Sequence, residues 1–295
     1  RRLWPLAGAQ FLGVFNDHAF KIVAIFVAIG EVESYSRNAY FIGLVTAAYA
    51  LPFLVFPGVA GFCADRFAKR NVVVLAKFAE IVIMLLGALC LSRAAGWGPW
   101  PLVTVMFLMA LQSCLFSPAF NGNLPELFSE KQISRVNGIV GMLTFLAVIC
   151  GMGGGIMLKA VSGRHPGTCG LVFSGIAALG FLVALSAVPG LPADRRRRWN
   201  WNWLSEYLAG WRHITASHAL FRCILGDAWF VGAGTALQML LLLYGKYNLA
   251  IPQEAGWGVL QLILAVGIGA GCFLAGRMSG RKVELGLVPY GAVGM

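Results

Sequence analysis

Residues 57–71 read PGVAGFCADRFAKRN. The stretch joins two apolar runs, 40–63 and 72–92, and each of its parts has a physical task. Gly58 and Gly61 strip side-chain bulk from the end of the first run, so another helix can come close. Asp65 is positioned to cap the following helix or to sit near its positive end. Arg66, Lys69 and Arg70 hold the loop in the cytoplasm. A charged hinge this short, between runs of about 20 apolar residues, joins neighbouring spans of a membrane protein.

The rest of the chain is of the same kind. Of its 295 residues 59% are hydrophobic and 12% charged, and mean hydropathy is +0.76. Soluble domains carry about 25% charged residues, so roughly half the usual charge is missing. Spans are expected at 3–29, 40–63, 72–92, 101–120, 135–158, 168–188, 219–244 and 255–276. A ninth apolar segment begins near Leu285 and reaches Met295, so the chain looks cut off inside a span. The first run lacks a small-residue cleavage site, and no secretory signal is expected. The fold class is therefore an all-α polytopic membrane protein.

The net charge of +11 follows topology. With the N-terminus in the cytoplasm, inside segments hold 15 Lys and Arg and outside loops five, the other three lying within or at the ends of spans. That is the positive-inside pattern. Membrane lipids account for the basic charge, and no nucleic acid is needed. The longest loop, between the sixth and seventh spans, opens with PGLPADRRRRWNWNWLSEYLAGWRHI (189–214). Trp199, Trp203, Tyr207 and Trp211 recur every four residues beside arginines, as in a helix lying in the membrane interface. The expected division is a six-span bundle over 1–190, an amphipathic connector over 191–217 and the start of a second bundle over 218–295.

Polar residues inside spans mark candidate sites, because charge in hydrocarbon is costly and faces the bundle interior or a water-filled cavity. The first span contains FLGVFNDHAFK (11–21). Asp17 lies roughly 18 Å along the helix from Pro5, near mid-membrane, at ~1.5 Å per residue. Asp17 and Lys21 share a face at i, i+4 and can pair. His18 points about 100° away from Asp17, and Asn16 can bond a neighbouring helix. Lys77 and Glu80, at i, i+3, read as a structural pair. Gln112, Asn121 and Asn123 flank Pro118, which weakens the helix and makes the region a cavity wall or a broken helix end. Gln238 lies mid-span, while Arg222 and Asp227 stand near the start of span seven as a gate or a pair. Gly151, Gly153, Gly154, Gly155, Gly267, Gly269 and Gly271 read as close-packing helix faces. Seven scattered cysteines form no C-x-x-C pair and four histidines have no ligand spacing, so neither metal nor cofactor is expected.

The hinge at 57–71 resembles the G-x-x-x-D-R-x-x-[RK]-[RK] loop of the major facilitator superfamily, with Ala68 where that family usually has Gly. On this reading Gly61, Asp65, Arg66, Lys69 and Arg70 form its conformational loop motif. LAGRMSGRK (274–282) repeats it: Ala275, Gly276, Arg277 and Arg281 align with Ala64, Asp65, Arg66 and Arg70. Parallel halves are what a duplicated six-span transporter carries. FLGVFNDHAFK, LQSCLFSPAFNGNLPELFSEKQISRVNG (111–138) and FVGAGTALQMLLLLYG (230–245) resemble the bacterial lysophospholipid transporters, including transporter domains fused to an acyltransferase. The resemblance implies a major facilitator fold, here a six-helix bundle plus a truncated second one. It also implies transport of lysophospholipid, chiefly lysophosphatidylethanolamine, across the bacterial inner membrane, with a phospholipid acyltransferase, fused or separate, as partner. The family's acidic residue of span one is Asp17; its Lys after SPA is Phe120 here, and its span-seven Arg falls at Gln238. Lys21 is the candidate replacement cation.

Two other functions stay open. One is proton-coupled transport of a metabolite or drug, with Asp17 as the protonatable group. The other is the membrane module of an acyltransferase, although HDAxxx-type and NHxxxD-type sequences are absent and no catalytic residue is expected in this chain.

Overall fold

A computed structural model describes residues 3–30, 35–98, 100–163, 165–187, 203–249 and 254–279. The helices are α1 (Leu3–Gly30), α2 (Tyr35–Val55), α3 (Pro57–Arg66), α4 (Lys69–Ser92), α5 (Ala94–Trp97) and α6 (Trp100–Leu127). They continue with α7 (Glu130–Ser162), α8 (Gly167–Leu185), α9 (Trp203–Ala216), α10 (His218–Tyr247) and α11 (Glu254–Ser279). Among the described residues seven helices are long and apolar enough to cross a membrane: α1, α2, α4, α6, α7, α8 and α10. The 26-residue α11 stands where the eighth span is expected, with an apolar stretch at Val259–Ile268. The ninth segment, Arg195–Arg198, Trp199, Arg281 and Lys282 lie outside the described residues, as do the side chains of Asp227 and Arg277.

The second span is broken. Phe56 leaves helical geometry, and Pro57, which has no N–H to donate, starts α3. By contrast α6 runs on through Pro118 and Pro125, so of the two readings at Pro118 the broken helix end is not found. Asp65 is not itself the N-cap residue of the next helix. It sits in the last turn of α3, and the N-cap of α4 is Ala68, with no side-chain cap.

The basic residues of the hinge act on other helices. Lys69 pairs with Glu126 and donates to the Gly122 carbonyl at 3.2 Å, while Arg70 Nη2 donates to the Leu185 carbonyl at 2.6 Å. Cations at the start of α4 oppose its own dipole but suit the C-terminal ends of α6 and α8, and the Leu185 carbonyl, the last of α8, has no helical donor of its own. The hinge thereby gathers three helix ends.

α4 shows how the solvent inverts the usual pattern. Leu75, Phe78, Val82, Leu85, Leu86 and Leu89 are exposed, whereas Lys77 and Glu80 are buried. An apolar outer face with charges inside is the arrangement expected in lipid.

Glycines set the helix spacing, at some positions and not others. A Cβ at Gly151 would stand 2.5 Å from the Phe15 carbonyl oxygen, and one at Gly155 2.7 Å from that of Ala19, so α7 lies backbone to backbone on α1. Gly153 faces Leu262 of α11. Gly61, Gly267 and Gly271 meet nothing within 4 Å among the described residues. α10 packs on α11 and α2, and α11 on α7. Asn38 Nδ2 donates to the Tyr247 hydroxyl at 2.8 Å, tying α2 to α10. α9 carries exposed Leu208 and Trp211, and the Trp211 ring meets Phe221 edge-on.

Candidate functional site

Asp17 is 7% exposed and reaches a cavity of about 180 Å³ among α1, α2, α4 and α6. Ser113 Oγ donates to Asp17 Oδ2 at 2.8 Å and also lies 3.2 Å from Gln112 Oε1. Tyr49 of α2 lines the same cavity and interacts with the carboxylate. Lys77, Gln112, Phe116, Phe120 and Asn121 complete much of the wall. Helical spacing explains the set: 113, 116, 117 and 120 recur on one face of α6. Phe116 and Phe120 stack at 5.5 Å between centroids, giving an aromatic surface beside the carboxylate.

Behind this wall lies a buried ion pair. Lys77 Nζ stands 2.6 Å from Glu80 Oε2, both side chains being 2% exposed, and 5.1 Å from the centroid of the Phe116 ring. Asn16 Nδ2 donates to Glu80 Oε1 at 3.2 Å and to the Phe173 carbonyl at 3.0 Å. Asn16 is fully buried and is turned from the cavity expected of it: the side of α1 that carries it is packed against α4 and α8.

Asp17 and Lys21 are one turn apart, yet no ion pair joins them among the described residues. Lys21 Nζ lies 5.7 Å from the centroid of the Tyr49 ring, and the same tyrosine interacts with Asp17. Lys21 belongs to a second, much smaller cavity of about 20 Å³, lined also by His18, Thr46, Gln238 and Gln261. His18 Nδ1 stands 3.0 Å from the Val14 carbonyl, which can only accept, so that nitrogen carries the proton. Gln261 Nε2 donates to the Gln238 carbonyl, and Gln238 Nε2 points at Met152 Sδ over 4.0 Å. Thr46 Oγ1 and Gln261 Oε1 are buried there without a hydrogen-bond partner among the described residues.

The residues expected at one site therefore fall in two places. Asp17, Gln112, Phe120 and Asn121 line the larger cavity; His18, Lys21 and Gln238 line the smaller. Tyr49, Ser113, Thr46 and Gln261 belong to these walls with no sequence signal, since hydroxyl and amide side chains are ordinary in spans. Lys77 was legible as a charge but reads as purely structural in sequence; the structure gives it the ion pair and a place in the cavity wall as well.

This chain is 27% identical over 287 residues to a Yersinia enterocolitica protein named Lysophospholipid transporter LplT, covering 97% of this chain and 67% of that one. A Yersinia pestis protein of the same name is 26% identical over 292 residues, with 97% and 66% covered. The chain thus spans about two thirds of the length of these relatives. Among solved structures, a bacterial homologue of the human lysosomal transporter Spinster superposes with a TM-score of 0.67 at 18% identity, over 94% of this chain and 62% of that one. A D-xylose–proton symporter superposes with a TM-score of 0.57 at 15% identity, over 93% and 68%. These likenesses give the fold. The sequence model of the Major Facilitator Superfamily matches residues 9–295, and the chain belongs to that superfamily.

Proposed function

We propose that the protein moves lysophospholipids of the lysophosphatidylethanolamine kind across the bacterial inner membrane, its N-terminus in the cytoplasm, for reacylation by a phospholipid acyltransferase, fused or separate. The observation that carries this reading is Asp17: a carboxylate held by Ser113 in a cavity among the spans, in a chain whose curated relatives over 97% of its length bear the lysophospholipid name. The headgroup amine binds at Asp17. The headgroup also meets Lys21 and Gln238 on the other side of Tyr49, and Tyr49 shifts to let one headgroup reach both pockets. The six-span unit 1–190 and the unit that begins at 218 rock about this site, as duplicated transporters do. The loop residues Gly61, Asp65, Arg66, Lys69 and Arg70 hold one of the alternating states. The test is reconstitution of the full-length protein in vesicles. Lysophosphatidylethanolamine should cross faster than in empty vesicles. A soluble solute accumulated only with a pH gradient, with lysolipid ignored, would replace this reading by a proton-coupled one.

A further inference from the structure

The polar Asp17 cavity has an apolar neighbour. A groove of about 450 Å³ runs between α3 and α4 and is floored by α6. Its volume lies within the roughly 300–1,000 Å³ of small-molecule sites. Its mouth is formed by Phe67 and Leu75, 52% and 67% exposed, which belong to the lipid-facing apolar surface. Its floor reaches Ala76, Ile83 and Gln112, all buried. Gln112 lines both this groove and the Asp17 cavity.

The register of two helices makes this junction. On α6, Leu108, Leu111, Gln112 and Leu115 recur at helical spacing and face the groove, while Ser113, Phe116 and Phe120 turn about 100° per residue onto the polar side. On α4, Ala76 faces the groove and its neighbour Lys77 faces the polar cavity. Gln112 marks the seam, with its Oε1 beside Ser113 Oγ, which itself bonds Asp17. The two cavities share Gln112 as a wall; one is apolar and lipid-facing and the other carries a carboxylate and an ammonium, so the pair has the polarity of a single-chain amphiphile once Gln112 turns aside.

We infer that the α3–α4 groove holds the acyl chain of one single-chain lipid while its headgroup occupies the Asp17 cavity, with Gln112 at the chain–headgroup junction. The inference rests on the lysophospholipid reading above and adds where the chain lies. Ala79, half-buried in the groove wall, is small, and a large side chain there would fill the trough.

Photocrosslinking tests this on the wild-type protein in vesicles. The probe is lysophosphatidylethanolamine with a diazirine midway along its chain. A diacyl phosphatidylethanolamine carrying the same group is the comparison. Crosslinks of the lyso probe should map to Leu75, Ala79, Leu108 and Leu111 and be displaced by unlabelled lysolipid but not by glycerophosphoethanolamine. Ala79→Trp should lower them by about tenfold or more, the scale on which an apolar pocket discriminates by size. Equal labelling by the diacyl probe would make the groove a place for ordinary bilayer lipid and overturn the inference. Lysolipid that binds but crosslinks elsewhere would overturn it while leaving the transport reading intact. Absence of any displaceable lysolipid binding would overturn both.

Discussion

Ser113 Oγ on α6 donates to Asp17 Oδ2 on α1 across 2.8 Å, linking two helices that otherwise touch little. Hydrogen bonds between membrane helices contribute on average only about 0.6 kcal/mol to stability. Ser113→Ala should therefore barely change thermal unfolding in detergent. It frees the carboxylate to turn away from the headgroup amine, so half-saturation for lysolipid should rise several-fold. Unfolding and transport measured on the same preparation check both halves.

The Lys77–Glu80 pair makes a sharper stability prediction. Removing one partner of a buried ion pair costs about 3–5 kcal/mol, because the other charge stays buried alone. Lys77→Met should destabilise on that scale, and Glu80→Met similarly, with the added loss of the Asn16 bond. The double substitution should recover much of the loss, since a well-packed apolar pair is often neutral or better. A double-mutant cycle by thermal unfolding in detergent decides it.

Glycine positions separate packed from unpacked faces. Gly155→Ala would push a methyl onto the Ala19 carbonyl and should destabilise by about 1–3 kcal/mol, the cost of overpacking. Gly61→Ala meets nothing within 4 Å among the described residues, and it should be neutral or slightly stabilising through helix propensity. Equal effects of the two substitutions would contradict the packing described.

Lys21 is the informative cation. It is not ion-paired with Asp17, so Lys21→Ala should leave folding intact and abolish lysolipid transport, with Lys21→Arg keeping a measurable part. Unchanged transport in Lys21→Ala would assign headgroup recognition elsewhere, Lys77 being the other ammonium at these walls. Transport kinetics on variants of matched expression give the comparison.

How far the sequence carries differs by level. Span positions are legible because a run of apolar residues measures the bilayer directly, and the predicted 3–29, 72–92 and 168–188 lie within a few residues of α1, α4 and α8. The break at Phe56–Pro57 and the uninterrupted α6 at Pro118 are not legible, since neighbouring helices decide whether a proline in a membrane kinks its helix. The site is half legible. Asp17, Gln112 and Asn121, marked by polarity inside spans, line one cavity, and Phe120, marked only by the family comparison, lines it with them. That Lys21 and Gln238 lie in another pocket, and that Asn16 serves Glu80, depends on which helix packs against each face of α1. Spacing along one helix does not contain that information.

The central claim is that the Asp17 cavity carries lysolipid. Its most direct test is the rate at which fluorescent lysophosphatidylethanolamine crosses vesicles holding the full-length protein, compared with Asp17→Asn at equal protein content. The account predicts rapid movement by the wild type and a rate near that of empty vesicles for Asp17→Asn, whose unfolding should be little changed. Full activity in Asp17→Asn, or no movement by the wild type, would contradict it.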